Sequence, residues 1–431
     1  MFKRVFAILL AVLMLGGLTS CLTVDQPTTE TTEDTLTTDT PNTSTEPEAT
    51  DKVTDEPTDE ITTDEPDLPK PPEKVETTIS LNSQTKGIKI LGERALESDS
   101  QINLDWTCSG VEFVIDSLGG ELTLKAGSNK PCYLRIYVDG IEWSTAVGKT
   151  YFEINGETTV TVPSIPAGKH TVRIVKVTGH TLATAQLYSM SYYGTLEETA
   201  PADKDVYIEF IGDSISCGWG VIGAHDGSYS AQDGALAYPY MLAKKLNADY
   251  SITALSGQGV IFHGTTVPNM TDGYLMSSPL RDNTQAYDFE RKANMVVINM
   301  GTNDFSKKDG NTITEETFAE SYKALINTIR EKNGADCKIV CLYNTMNDTF
   351  ASSIITVCRE LGGQKAGIYT FKMTRAASGH PTAEENVAYT NALESVLLNA
   401  LEGKITESKL DVENAGNGMT VDFSQFKPYE G

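Results

Sequence analysis

The chain carries two successive patterns of hydrophobic and polar positions. From residue 77 to residue 198, short segments alternate apolar with polar residues or are rich in β-branched side chains. Closely spaced strands of this kind predict an all-β, jelly-roll-like sandwich. Asp139-Gly140 and Ala167-Gly168 have the composition of turns. The strands are expected at residues 88–91, 111–115, 121–124, 133–138, 158–162 and 170–175.

From residue 203 to residue 410, apolar segments alternate instead with helical patterns. A helix is predicted after Thr314, because the apolar residues that follow recur at helical spacing. Thr382 and Glu385 form the capping box of a later helix. Alternating strands and helices predict a doubly wound parallel α/β sheet. Its strands are expected at residues 206–211, 250–255, 295–300, 337–343 and 367–373.

Residues 1–21 have the composition of a secretory signal. A positively charged start is followed by an apolar run that is too short for a membrane span, and then by small residues. Leu18-Thr19-Ser20-Cys21 resembles the bacterial lipobox, in which the cysteine becomes the lipidated first residue of the mature protein. An ordinary cleaved signal with an incidental cysteine is the alternative. The lipobox predicts an extracellular lipoprotein that contacts the bacterial membrane only through its lipid anchor.

Residues 22–76 consist almost entirely of Thr, Glu, Asp and Pro. This segment has too little apolar surface to fold, so we predict a disordered and extended linker. It carries about half of the net charge of −25, which leaves the folded part only moderately acidic. A nucleic-acid-binding protein would need a basic face, so nucleic acid is not an expected partner. Residues 411–431 are predicted to be a loosely attached tail.

The chain contains seven cysteines. Cys21 is assigned to the lipid, and the other six show no Cys-x-x-Cys pair with the spacing of a metal site. Most of them are therefore interpreted as small buried residues. We expect neither a metal ion nor a cofactor.

Four of the predicted parallel strands are followed by residues that could perform acyl transfer. Ser214 follows the first strand within Gly-Asp-Ser, Gly257 follows the second, Asn303 follows the third, and His380 comes after the fifth. The carboxyl ends of parallel strands lie at one edge of the sheet, where active sites of open α/β domains form. A hydroxyl, a glycine amide, a carboxamide and an imidazole together supply a nucleophile, a base and oxyanion donors. A Gly-Asp-Ser turn by itself is common, so the inference depends on the four together.

This order of motifs resembles the SGNH (GDSL-like) hydrolase superfamily, which has a flavodoxin-like fold. Residues 212–220, preceded by a β-sandwich, are similar to carbohydrate esterase family 2, the acetyl xylan esterases. Trp106 and residues 133–140 and 168–170 also look like the N-terminal domain of that family. The resemblance extends over about residues 77–403.

The resemblance implies a role for each residue. Ser214 would attack the ester carbonyl, and His380 would be the general base and then the general acid. The oxyanion hole would consist of the backbone N–H groups of Ser214 and Gly257 and the side chain of Asn303. Many superfamily members carry an aspartate three residues before the histidine, where this chain has Ala377. Some members of the esterase family use a Ser–His dyad oriented by a backbone carbonyl, and we expect that arrangement; an acid from elsewhere in the chain is the alternative.

Other residues near these motifs have more than one interpretation. Asp213 and Asp304 are expected to anchor their loops rather than to act as acids. Trp219 is either a platform for a sugar or a packing residue. Cys217 lies near the nucleophile, but nothing beside it suggests a lowered thiol pKa. The remaining histidines have no assigned role: His170, His180, His225 and His263.

The sequence therefore predicts a serine esterase that removes acetyl groups from an acetylated polysaccharide or oligosaccharide such as xylan or mannan. One alternative is another SGNH enzyme, a lipase or thioesterase, although the loop over residues 223–236 is polar rather than apolar. The other alternative is a surface carbohydrate-binding protein with weak or lost activity. The sandwich is expected to be a structural platform more than a sugar-binding module.

Overall fold

Antiparallel strands form one hydrogen-bonded sheet over residues 76–196 of the computed structural model. The structure describes residues 74–222, 231–262, 268–282, 284–305, 307–308, 311–377 and 379–402. The strands of this sheet are β1 (Glu76–Ser80), β2 (Ile88–Leu91), β3 (Leu96–Glu97), β4 (Ile102–Leu104), β5 (Gly110–Ser128), β6 (Cys132–Val138), β7 (Ile141–Glu142), β8 (Phe152–Ile154), β9 (Thr158–Lys176) and β10 (Ala185–Leu196). Their order is β3-β4-β10-β5-β9-β6-β7, with β1, β2 and β8 paired to β10, β5 and β6. Phe113, Leu134 and Ile174 belong to the fully buried core that this sheet encloses.

Two pairs of predicted strands are continuous in the structure: residues 111–115 with 121–124 in β5, and residues 158–162 with 170–175 in β9. Residues 111–115 and 121–124 both lie in β5, because Gly119 and Gly120 adopt positive φ and carry the strand through a register shift instead of ending it. The predicted turn at Ala167-Gly168 is wrong, since both residues lie inside β9 and pair with β5. The turn at Asp139-Gly140 is confirmed, with φ of 53° and 81° between β6 and β7.

The predicted parallel sheet is confirmed. Its strands are β11 (Tyr207–Gly212), β12 (Asp249–Ala254), β13 (Met295–Asn299), β16 (Lys338–Tyr343) and β17 (Ile368–Lys372). Their order β12-β11-β13-β16-β17 is the doubly wound, flavodoxin-like order 2-1-3-4-5. A separate short ladder pairs β14 (Lys307–Lys308) with β15 (Asn311–Thr312).

Helices cover both faces of the parallel sheet, which explains why its strands are buried along their whole length. They are α1 (Tyr238–Lys245), α2 (Met270–Gly273), α3 (Glu315–Asn333), α4 (Ala351–Glu360) and α5 (Ala383–Leu401). The caps predicted from the sequence are confirmed: the Thr314 hydroxyl accepts from the Thr317 amide, and Thr382 and Glu385 form a capping box. None of the helices in the described ranges is long and apolar enough to cross a membrane. The predicted signal, most of the predicted linker and the C-terminal tail lie outside the described residues.

Buried charges connect the sandwich to the parallel sheet. Arg94 reaches from the sandwich to Glu209 in β11, at 3.4 Å, with both side chains at most 1% exposed. The hydroxyl of Tyr274 donates to the same carboxylate at 2.7 Å. At the first residue of β12, the carboxylate of Asp249 lies 2.8 Å from the ammonium of Lys89. Each pair neutralises a charge that would be costly to bury alone.

A second group of contacts lies beside the carboxyl ends of the strands. The indole of Trp106 packs against Leu255, and its Nε1–H donates to the carbonyl of Ser277 at 2.7 Å. The carboxylate of Asp105 accepts from the guanidinium of Arg281 at 2.6 Å. The sandwich therefore touches the loops that follow β12, as well as the strands themselves.

Candidate active site

The first candidate residue, Ser214, lies in a tight turn directly after β11. The carboxylate of Asp213 accepts from the backbone N–H of Ile215 at 3.0 Å, and the carbonyl of Asp213 accepts from the N–H of Ser216 at 3.1 Å. A Cβ at Gly212 would lie 2.0 Å from the Ser216 hydroxyl, so the turn requires glycine there. This turn places the Ser214 hydroxyl at the carboxyl end of β11, although the residue is only 4% exposed.

The structure brings His380 to Ser214. Its Nε2 lies 2.8 Å from Oγ of Ser214, which is the distance needed for the imidazole to accept the hydroxyl proton. His380 belongs to the loop between β17 and α5. At the position three residues before the histidine, where an orienting acid would be expected, the N–H of Ala377 donates to Oε1 of Glu385 at 2.8 Å.

The backbone amides of Ser214 and Gly257 are the two candidate oxyanion donors from the main chain. Within the described part of the chain, no residue accepts a hydrogen bond from the N–H of Ser214 or of Gly257. Gly257 has φ of 82°, a left-handed conformation that favours glycine, and a Cβ there would meet nothing within 4 Å. Open space beside a donor of this kind can admit a substrate oxygen.

Asn303 also contacts the turn that follows β11 and contains Ser214, which we call the nucleophile turn. Its side-chain hydrogens are already used in hydrogen bonds. Nδ2 donates to the carbonyl of Gln258 at 2.9 Å and to the carboxylate of Asp213 at 3.1 Å. A carboxamide nitrogen has two hydrogens. Asn303 must therefore exchange or share one of these bonds in order to donate to an oxyanion.

The two aspartates of the motifs anchor loops, as predicted. Asp304 accepts from the backbone N–H groups of Val260, Ile261 and Phe262 at 2.8–3.0 Å and so fixes the loop after β12. Burial raises the pKa of Asp213 to about 7, and the nearby charge of Asp304 acts in the same direction. The residue directly before the nucleophile is thus a carboxyl group that changes its charge around neutral pH.

Residues 210–398 match the GDSL-like Lipase/Acylhydrolase family. This segment contains the serine, glycine, asparagine and histidine just described, on the strand order 2-1-3-4-5. Residues 210–398 form a GDSL-like acylhydrolase domain.

The similarity to known proteins extends over more of the chain than residues 210–398. Cellulase/esterase CelE of Acetivibrio thermocellus is 27% identical over 292 residues, which cover 64% of this chain and 34% of CelE. This chain thus spans about a third of CelE. An acetylxylan esterase / glucomannan deacetylase of Cellvibrio japonicus is 24% identical over 71% of this chain and 89% of that protein. The structure of a family two carbohydrate esterase from Clostridium thermocellum in complex with cellohexaose is 26% identical and aligns with a TM-score of 0.65 over 74% of this chain and 100% of that chain.

Two further residues lie beside the Ser214–His380 pair. The ring of Trp219 is 6.5 Å from that of His380 between centroids, and Trp219 also packs against the apolar core. Its position is therefore compatible with both interpretations of this residue. Burial raises the pKa of the Cys217 thiol to about 12, so Cys217 is not a second nucleophile at neutral pH.

The other described histidines belong to the sandwich. His170 pairs with Asp139 at 2.7 Å beside the β6–β7 turn. His180 packs edge-on against Trp106, and burial lowers its pKa to about 3, so it is neutral. His225 and His263 lie outside the described residues.

The sequence did not identify the residues that hold the histidine loop and the Ser214 turn in place. Asn386 in α5 contacts both the histidine loop and α1, and Tyr238 in α1 contacts the nucleophile turn. In the sequence, the only signal was an asparagine inside the predicted helix. It did not identify Tyr238 or Pro381 as its partners. Phe305 was also missed; it is 63% exposed and lies two residues after Asn303. Within the described residues, no group of His, Cys, Asp or Glu side chains could hold a metal ion.

Proposed function

We propose that this protein is a carbohydrate O-acetyl esterase with a serine nucleophile. The observation that carries the proposal is the 2.8 Å contact between Oγ of Ser214 and Nε2 of His380. The relatives named as acetylxylan esterases and as a cellulase/esterase support an acetylated polysaccharide, such as xylan or glucomannan, as the substrate.

The proposed reaction proceeds through an acetyl-enzyme. Oγ of Ser214 attacks the acetyl carbonyl carbon while its proton moves to Nε2 of His380. The N–H groups of Ser214 and Gly257 hold the oxyanion, and Asn303 joins them after exchanging one of its present acceptors. When the C–O bond to the sugar breaks, the imidazolium returns the proton to the sugar oxygen. Water then attacks the acetyl-serine with His380 as base, and acetate leaves.

Two aromatic side chains are the proposed contacts for the sugar. Trp219 lies beside His380, and Phe305 follows Asn303 with most of its ring exposed. The apolar face of a pyranose ring would cover such surfaces, and aromatic contacts are worth about 0.5–1.5 kcal/mol each. Phe305→Ala should raise KM for acetylated xylan several-fold and leave turnover of 4-nitrophenyl acetate unchanged. Val147→Ala, another exposed apolar residue, is the control.

We also propose that the protein is anchored to the cell surface through a lipid on Cys21. The lipobox-like sequence before Cys21 and the Thr-, Glu-, Asp- and Pro-rich residues 22–76 support this arrangement. Detergent phase partitioning tests it. The wild-type protein expressed in bacteria should enter the detergent phase, whereas Cys21→Ser should remain in the aqueous phase. Aqueous partitioning of the wild-type protein would contradict the anchor.

Acetate release from acetylated xylan and acetylated glucomannan tests the esterase directly. Ser214→Ala and His380→Ala should each lower the turnover by on the order of 10⁴-fold. Ser100→Ala and His170→Ala, two polar substitutions in the sandwich, should leave it unchanged. The preferred polymer would identify the substrate.

Other outcomes would favour the alternative functions. Faster hydrolysis of long-chain than of acetyl 4-nitrophenyl esters, with no acetate released from either polymer, would indicate a lipase or thioesterase. Polymer binding that survives Ser214→Ala, without turnover by the parent, would indicate a carbohydrate-binding protein.

A further inference from the structure

The beginning of α5 holds the histidine loop on both sides of His380. Oε1 of Glu385 accepts from the N–H of Ala377 at 2.8 Å, and Oε2 accepts from the N–H of Thr382 at 2.9 Å. These amides lie three residues before and two residues after the histidine. One carboxylate therefore holds the backbone on both sides of His380. Its bond to Ala377 is made at the position where an orienting acid would be expected.

A neighbouring side chain connects this loop to the other half of the site. Asn386 is 1% exposed, and its Nδ2 donates to the carbonyls of Thr382 at 2.9 Å and Pro381 at 3.3 Å. Its Oδ1 accepts from the backbone N–H of Tyr238 at the start of α1, at 3.0 Å. Both hydrogens and the oxygen of this buried amide are thus used between α1 and the histidine loop.

The path continues to the nucleophile turn. The hydroxyl of Tyr238 lies 3.0 Å from the hydroxyl of Ser216, two residues after the nucleophile. A continuous series of contacts therefore runs from Ser216 through Tyr238 and Asn386 to Pro381, which adjoins His380. Both ends of the Ser214–His380 contact are attached to this series.

We propose that Glu385 and Asn386 are positioning residues that set the distance between Oγ of Ser214 and Nε2 of His380. A general base works only within hydrogen-bond reach of the proton it abstracts. A displacement of about 1 Å at a catalytic group can cost about 10²-fold in rate. The carboxylate of Glu385 is bonded to backbone amides of the loop, so it acts on the imidazole through the loop backbone. This inference rests on the proposed serine-hydrolase function only because the assays measure that activity.

A capping residue provides the matched control. Glu385→Ala removes both bonds to the loop, and one of them, from the Thr382 N–H, is half of the capping box. Thr382→Ala removes the other half, the Oγ1 acceptor of the Glu385 N–H at 3.2 Å, but keeps the carboxylate on Ala377. Each change should destabilise the helix by a similar amount, because each opens the same capping box. A difference in their turnover therefore reports positioning rather than stability.

The measurement is steady-state hydrolysis of 4-nitrophenyl acetate by the full chain, below the melting temperature of every variant. Glu385→Ala should lower kcat by about tenfold to hundredfold with KM changed less than about twofold. Glu385→Gln keeps one acceptor oxygen and should recover part of the loss. Thr382→Ala should stay within about twofold of the parent. Equal kcat values for Glu385→Ala and Thr382→Ala would overturn the inference.

Labelling by a fluorophosphonate separates this inference from the proposed substrate. The probe reacts with a serine that an imidazole activates, so its rate depends on the Ser214–His380 contact and not on any sugar. Glu385→Ala and Asn386→Asp should label about tenfold more slowly, or slower still, than the parent and Thr382→Ala. A parent that labels but releases no acetate from the polymers would overturn only the proposed substrate. A parent that does not label, or variants that label as fast as the parent, would overturn the positioning role.

Discussion

Replacing Asp213 by asparagine should change how the stability of the protein depends on pH. The carboxyl of Asp213 is fully buried beside the nucleophile, and burial raises its pKa from 3.8 to about 7. Between these two values the folded protein binds a proton that the unfolded chain has released. This carboxyl therefore lowers the free energy of unfolding as the pH rises from about 4 through about 7. The Asp213→Asn side chain would be an uncharged group of nearly the same shape at every pH.

The size of the effect follows from the shift. A pKa difference of about three units corresponds to about 4 kcal/mol above pH 7, at about 1.4 kcal/mol per unit. Part of this loss is already present at pH 5, where an unfolded aspartate is mostly ionised. Between pH 5 and pH 8, the wild-type protein should therefore lose about 2–3 kcal/mol that the Asp213→Asn variant does not lose.

Urea unfolding at pH 5 and pH 8, followed by tryptophan fluorescence, measures this difference. The substitution also alters the hydrogen bond to Asn303, which adds an offset, but that offset is nearly the same at both pH values. The informative quantity is the change between pH values in each protein, since other titrating groups are common to both. Equal changes in the wild-type protein and the variant would refute the raised pKa. A larger loss in the variant would mean that the ionised carboxylate is stabilised.

Three more predictions concern the remainder of the fold. Asp249→Ala should lower the free energy of unfolding by about 1–3 kcal/mol in urea, because the buried ammonium of Lys89 keeps only the exposed carboxylate of Asp203 as its counter-ion; a loss below about 1 kcal/mol would contradict this. Trp106→Phe should cost about 1–3 kcal/mol in the same assay, since the carbonyl of Ser277 loses its buried donor, and an unchanged midpoint would contradict it. The six described cysteines are all buried, so a thiol reagent should modify them only after unfolding, and rapid labelling of the folded protein would contradict that burial.

The parallel sheet could be predicted from the sequence because its strands are buried on both faces. The apolar runs of β13 and β16 stand out from the helical patterns beside them, and the expected strand over 295–300 differs from the observed Met295–Asn299 by one residue. The candidate site residues could be proposed because they follow the ends of parallel strands, which lie at one edge of the sheet. The sandwich was harder, since glycines that continue β5 through a bulge have the same composition as glycines that end a strand.

The support of the site could not be predicted from local patterns. Asn386 binds Tyr238, which is 148 residues away in the chain, and nothing near either residue encodes that contact. The capping box at Thr382 and Glu385 was visible, but its further bond to Ala377 depends on how the loop folds back over the helix. The commitment of the Asn303 amide to its two acceptors is likewise a tertiary property. Local sequence patterns indicated the candidate site residues, whereas contacts between distant parts of the chain determine their positions.

The buried pair of Arg94 and Glu209 affects whether the sandwich and the parallel-sheet region could be separated or exchanged. Glu209 lies in the strand that carries the nucleophile, and its counter-ion comes from the sandwich. A gene that encoded only the part of the chain from β11 onward would leave this carboxylate without its counter-ion, at a cost of about 3–5 kcal/mol. Recombination that exchanges the sandwich for another module would have to supply an arginine at the same place. The two regions are therefore expected to be inherited and engineered as one unit.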